Sequence, residues 1–139
     1  MEDILRHQLH PEGIELLKKA RAEQGQTVLL SEMVCQVMKP LAKYIGQMDH
    51  LLCNHMEFVD GAATGKLQAP IIGAAGGAQL LRSFAQEHSI NLATSIGYAA
   101  HGSDLLLLSA IGRPCVVNPD MRMRRSAHET DWPIIEYHA

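Results

Sequence analysis

The apolar and polar positions along the chain alternate between two periods, and the switches between them mark the elements. Residues Val34, Val37, Met38, Leu41 and Ile45 recur at helical spacing, which predicts a packed helix with Pro40 inside it as a kink and Gly46 as its stop. Pro11 suits the first turn of an earlier helix whose face is Ile14, Leu17 and Ala20, widened by Leu16 and stopped at Gly25, and Glu2 to His10 also reads as helical. Short apolar runs at Thr27 to Leu30, ending at Ser31, and at His50 to Cys53 read as strands. Met56 and Phe58, the turn Asp60-Gly61 and the return through Thr64 to Leu67 predict a hairpin.

The second half is organised around the stretch from Asn91 to Asp120. Asn91 to Tyr98 is an apolar run suited to a buried strand, followed by the small residues Ala99 and Ala100. Ser103 is placed to cap a short helix, Leu105 to Ile111, with Asp104 at the positive end of its dipole and Gly112 as its stop. Pro114 to Val117 is a second strand, and Asn118-Pro119-Asp120 turns the chain away from it. Open α/β sheets bind ligands at the C-terminal ends of their strands, which directs attention to the loop from Ala99 to Asp104.

Ala69 to His88 leads through GAAGGA into a helix with Leu80, Leu81, Phe84, Ala85 and His88 on one side. Such a glycine-rich turn could cradle a phosphate on backbone N–H groups and make a nucleotide-binding module. Its glycines, Gly73, Gly76 and Gly77, do not have dinucleotide-motif spacing, and no Lys-Ser or Lys-Thr follows.

Composition narrows the classes. The chain has 139 residues, enough for one domain over 1–139, and no run of about 18 apolar residues that could span a membrane. Its N-terminal residues lack the pattern of a signal peptide, so a cytoplasmic protein is expected. A net charge of −3 argues against a general nucleic-acid binder, and the basic run Met121-Arg122-Met123-Arg124-Arg125 reads as a solvated helix face. With aromatic residues at 4%, the core must be built of Leu, Ile, Val, Met and Ala. Three cysteines, Cys35, Cys53 and Cys115, lie in apolar segments and read as buried free thiols. His50, Cys53 and His55 fall close together, but His50 points away from the other two and no second ligand pair of zinc spacing exists, so a metal site is not expected.

The stretch YAAHGSDLLLLSAIGRPCVVNPDMRMRRSAHETDWPIIEY resembles the C-terminal part of the haloacid dehalogenase superfamily, in its phosphoserine-phosphatase-like branch. Asp104, Leu105, Asn118, Pro119, Asp120, Trp132 and Pro133 carry the match, and TVLLS, KYIG and the turn Gly61 to Gly65 extend it through the first half. The resemblance implies an α/β, three-layer Rossmann-like core, mostly parallel with a β-hairpin and without the first, nucleophile-bearing strand. It implies that Ser31 is a phosphate-binding serine, although a serine there could equally cap the next helix. It makes Ser103 a second vestigial phosphate contact and Asp104 a carboxylate that orients the loop from behind, although a helix-cap role alone would explain Asp104, while His101 beside them reads as an acid/base or ligand contact or simply as an exposed loop residue.

The resemblance also locates what this sequence does not have. The family's magnesium-ligand aspartate falls on Ala100, its catalytic lysine falls on Gly77, and no Asp-x-Asp occurs anywhere in the chain. Neither magnesium nor any other cofactor is therefore expected, because a hard cation needs oxygen ligands. The expected function is that of a degenerate phosphatase-like domain, non-catalytic on its own, that binds a partner or a small anion. The alternative is a phosphate-monoester hydrolase completed by a nucleophile strand from another chain. In the family that strand lies between those ending at Ser31 and Ala100, so without it two apolar edges seek partners, and a homodimer or hetero-complex is expected.

Overall fold

The computed structural model describes residues 9–46, 48–73 and 75–138. They divide into two compact units, with the boundary between Ile71 and Ile72, and each is taken in turn. Most of the helix expected over Glu2 to His10 lies outside the described residues. Among the described residues no helix is long and apolar enough to cross a membrane.

The first unit opens with α1 (Pro11–Ala22), which starts on its proline as expected. Its C-terminus comes earlier than Gly25: the helix ends at Ala22, and Gln24 takes up the left-handed conformation (φ 59°) before the glycine is reached. Strand β1 (Val28–Val34) pairs in parallel with β2 (His50–Asn54), and the two are joined by α2 (Cys35–Ile45). The pair is pinned at its beginning by Asp49, whose carboxylate accepts the Thr27 N–H at 2.7 Å and the Thr27 hydroxyl at 2.8 Å. These two bonds hold the Asp49 carboxyl below the usual aspartate range.

The face that α2 buries keeps Met38 and Leu41 of the expected stripe but is shifted from it. Cys35, Met38 and Ala42 are buried, while Val37 is 44% exposed and Val34 belongs to the strand. On that face Cys35 and Cys53 form a disulfide across Cα atoms 5.2 Å apart, which corrects the expectation of free thiols at both positions. Packed on that bond are Met38, Leu29, Leu41 and Leu51. Cys115 is free and buried, and burial raises its thiol pKa. The unit ends in the antiparallel hairpin of β3 (Met56–Val59) and β4 (Ala62–Leu67), turned by Asp60 (φ 49°) and Gly61 (φ 80°). Positive φ at both central residues matches the right-handed twist of the strands.

The second unit is helix α3 (Gly77–Glu87) and a three-stranded parallel sheet, with β6 (Arg113–Val117) between β5 (Ile96–Ala99) and β7 (Ile134–Ile135). Helix α4 (Leu105–Ser109) connects β5 to β6, and α5 (Met121–Glu129) connects β6 to β7. Strand β5 is half the expected length because Asn91 diverts its first residues into a turn. The Asn91 side chain accepts the Ala93 N–H, and its carbonyl accepts the Ser95 hydroxyl at 2.7 Å. Leu108, Val116 and Met123 are fully buried together with Ala127, each large side chain contributing about 1.5–3 kcal/mol by leaving water. Gly112 closes α4 against this turn: a Cβ there would lie 1.9 Å from the Ala93 carbonyl oxygen. The described residues are thus mixed α/β with parallel sheets and one hairpin, and among them no sheet closes into a barrel.

Candidate functional site: the loops at the strand ends

Parallel pairing of β5 with β6 brings the loops that follow them to the same end of the sheet. The β5 loop runs through Ala100 and His101 into a 3-10 turn, Gly102–Asp104, that leads into α4. The β6 loop turns on Asn118 (φ 42°) and Pro119 and reaches Asp120, the N-cap of α5. Asp120 joins them. One carboxylate oxygen accepts the Met123 N–H at 2.7 Å, which caps α5, and the other accepts the Gly102 N–H at 2.9 Å. The Asp120 N–H donates in turn to the Ala100 carbonyl at 3.0 Å. This arrangement lets an anion hold the first turn of one helix and the loop of its neighbour at once.

The bond from Met123 N–H, then that from Gly102 N–H, lowers the Asp120 carboxyl below the ordinary aspartate value, with the charge of His101 adding a smaller pull. His101 Nδ1 lies 3.7 Å from Asp120 Oδ2, and its side chain is 75% exposed, so it is a loop histidine with one carboxylate neighbour. Gly102 allows the approach: a Cβ there would meet Cβ, Cγ and Cδ of Arg122 at 2.6–2.9 Å. Of the basic run, Met121, Arg122 and Arg125 are exposed and the half-buried Arg124 pairs with Glu136, whereas Met123 is fully buried, which corrects the reading of the whole run as a solvated face.

Ser103 is not the helix cap. It is exposed within the 3-10 turn, while the N-cap position of α4 belongs to Asp104, whose side chain makes no capping bond. The shift arises because the Asp104 N–H bonds the His101 carbonyl at 2.9 Å, tightening the turn before the helix begins. Nor does Ser31 cap a helix. Strand β1 runs past it to Val34, the N-cap of α2, and Ser31 Oγ accepts the Met33 N–H at 3.1 Å. The β1–β2 register breaks between Leu30 and Val34, and Asn54 bridges the break by donating to the Glu32 carbonyl at 2.6 Å. Ser31 therefore sits on a bulge four residues before an α2 N-terminus that has no side-chain cap.

The remaining positions are equally definite. Ala100 presents a methyl group, its carbonyl oxygen is engaged by Asp120, and both Asp120 carboxylate oxygens are engaged by N–H groups. Among the described residues no three His, Cys, Asp or Glu side chains cluster so as to hold a metal ion. Gly77 is the buried first residue of α3, and a Cβ there would stand 3.3 Å from Leu107 Cδ1. In the glycine-rich turn, Gly76 N–H and Gly77 N–H both donate to the Gly73 carbonyl, which removes two donors from the nucleotide cradle considered above. Cys53 is spent in the disulfide, and His50 lies 2.9 Å from Gln26 Oε1, so these two do not gather with His55 around a metal. The role of Asp120 went unread in the sequence, although an aspartate directly before a helical run is an N-cap signal.

A sequence model described as haloacid dehalogenase-like hydrolase matches residues 1–109. The chain is 26% identical over 139 residues to the inhibition of morphological differentiation protein of Streptomyces azureus, covering 99% of this chain and 50% of that one. It is 30% identical over 127 residues to a phosphoserine phosphatase of Mycobacterium tuberculosis, covering 91% of this chain and 41% of that one. A solved protein of unknown function from Bordetella pertussis superposes with a TM-score of 0.86 at 24% identity, over 97% of this chain and 61% of that one. The chain spans about half the length of the relatives it matches.

The Asp120 bonds set a pH dependence. A carboxyl whose pKa is lower folded than unfolded adds stability that is complete above its unfolded value, near the ordinary 3.8, and is lost as pH falls through the lowered native value. Asp120→Asn is expected to flatten the acid limb of a stability-versus-pH curve and to lower the thermal midpoint at neutral pH by several degrees, because an amide cannot accept both N–H groups. Circular dichroism melts across the acid range check this, and an acid limb unchanged in the variant would contradict it.

Proposed function

Because the chain belongs to the haloacid dehalogenase-like hydrolase family, in its phosphoserine-phosphatase-like branch, and yet carries Gly77 and Ala100 at the lysine and magnesium-ligand positions, we propose that it is a degenerate phosphatase-like domain, non-catalytic on its own, that binds a small anion or a partner. The observation that carries this reading is Ala100. Its surroundings keep the loop's shape, through Asp120, Gly102 and Arg122, while the position itself offers no carboxylate. Phosphoryl transfer depends on charge stabilisation by lysine and metal, and this stretch supplies neither.

Anion binding is assigned to Ser31 rather than to Ser103. Helix α4 has five residues and little dipole, whereas α2 has eleven and an N-terminus without a side-chain cap, close in sequence to the Ser31 hydroxyl. The expected result is no turnover of an aryl phosphate with magnesium, and still none in Gly77→Lys/Ala100→Asp. That double variant should fold, since the nearest atom to the new Cβ at position 77 is the tip of a flexible leucine. Calorimetry should show weak phosphate binding that Ser31→Ala weakens by about tenfold, the loss of one hydrogen bond to a charged group. Turnover that survives repurification and disappears in Asp104→Asn would overturn the proposal.

A second reading rests on the sheet edges. Among the described residues β1 pairs only with β2, and β5 only with β6, so each has one side without a ladder partner. On β5, Ile96 and Tyr98 are 48% and 47% exposed. Such edges favour assembly with a second copy or with another chain, and a chain supplying an Asp-x-Asp strand would complete a phosphate-monoester hydrolase. Light scattering is expected to give a mass well above 15.3 kDa at micromolar concentration, and a monomer without a retained partner would contradict assembly.

A further inference from the structure

Three groups of sulfur and imidazole chemistry lie together in the first unit, outside the loops discussed so far. Cys35 is the first residue of α2, Cys53 is in β2 and bonded to it, and His55 Nε2 lies 3.6 Å from Cys35 Sγ. The two sulfurs differ in their surroundings. Cys35 stands at the N-terminus of an eleven-residue helix whose cap residue, Val34, has no side-chain acceptor for the first-turn N–H groups, and it has the imidazole beside it. Cys53 is in a strand, without a helix terminus of its own. Negative charge developing on sulfur is stabilised by helix N-terminal N–H groups and by a neighbouring imidazolium.

We propose that Cys35, Cys53 and His55 form a thiol–disulfide exchange site in which Cys35 is the reactive sulfur and small dithiols or small disulfides are the co-reactants. In reduction, a thiolate of the dithiol attacks Cys53 Sγ, a new S–S bond forms there, and the Cys35–Cys53 bond breaks with its electron pair leaving on Cys35 Sγ. The second thiolate of the dithiol then attacks its own sulfur in the mixed disulfide. Cys53 is released as a thiolate and the dithiol departs as a cyclic disulfide. Two electrons pass to the protein, and two protons from the dithiol end on the protein thiols through solvent. Oxidation by a small linear disulfide takes a separate path: the Cys35 thiolate, after giving its proton to His55, attacks one sulfur and expels the first small thiolate, and the Cys53 thiolate, its proton lost to solvent, then attacks Cys35 Sγ, re-forms the Cys35–Cys53 bond and expels the second. Cys35 and Cys53 are only 2% and 6% exposed, which restricts the reaction to small reagents entering through an opening of the first turn of α2. His55, by contrast, is exposed and needs no such opening. The exchange chemistry uses none of Ser31, Gly77 or Ala100, although it shares the N-terminus of α2 with the anion contact proposed above.

The test uses the whole 139-residue chain. Purified without reductant and unfolded, it is expected to take up one alkyl group, on Cys115, and after reduction with dithiothreitol three. In the folded, reduced protein at about pH 6.5, iodoacetamide should label Cys35 at least about tenfold faster than Cys53, as expected for a stabilised thiolate against an ordinary thiol. His55→Ala and His55→Gln, both changes at an exposed side chain, should each lower the Cys35 rate and leave Cys53 unchanged. Peptide mapping by mass spectrometry separates the sites. Three labelled thiols without reductant, no labelling of folded Cys35 after reduction, equal rates at the two cysteines, or rates indifferent to His55 would each overturn the proposal.

Discussion

A single carboxylate holds the second unit in working shape. Asp120 receives the Met123 N–H on one oxygen and the Gly102 N–H on the other, so the same charge that starts α5 also determines where the β5 loop lies. The parallel β5–β6 register brings the two partners together, and without Asp120 the N–H groups of Met123, in the first turn of α5, and of Gly102, in the 3-10 turn after β5, would lose their acceptor. Around this contact the packing is equally committed. Arg122 lies over Gly102, Met123 is fully buried one residue further on, and Leu108 and Val116 close the core beneath.

Much of this was legible in the chain. The parallel strands, the hairpin at Asp60-Gly61, the stop at Gly46 and the start at Pro11 follow from local rules of turn and helix chemistry, and the structure keeps them. Local competition explains where reading failed. Asn91 and Ser95 bond backbone groups that a strand would use, which shortens β5, and a 3-10 bond from Asp104 to His101 moves the start of α4 past Ser103. Ser31 was read as a strand end because the pattern breaks there, and the break is a bulge within a longer strand.

The other failures are long-range. Nothing in a separation of 18 residues shows that Cys35 and Cys53 share a contact, and with Cys35 on it the buried face of α2 leaves Val37 exposed. Likewise an Asn-Pro-Asp turn announces an N-cap but not the second acceptor role that its carboxylate takes eighteen residues back, at Gly102. Residues that shape the loops persist, and the positions expected to carry charge in catalysis are filled by glycine and alanine. On the reading proposed above, backbone hydrogen bonds and close packing maintain the fold and magnesium adds nothing to it.

That independence from metal can be measured directly. A ligand that binds only the folded chain raises its unfolding midpoint in proportion to its affinity. Melting curves with increasing magnesium, each matched in ionic strength with sodium chloride, should superimpose, because no carboxylate stands at position 100 and those of Asp120 are already engaged. A midpoint that climbs with magnesium and then saturates would reveal a specific site on the folded chain and contradict the account.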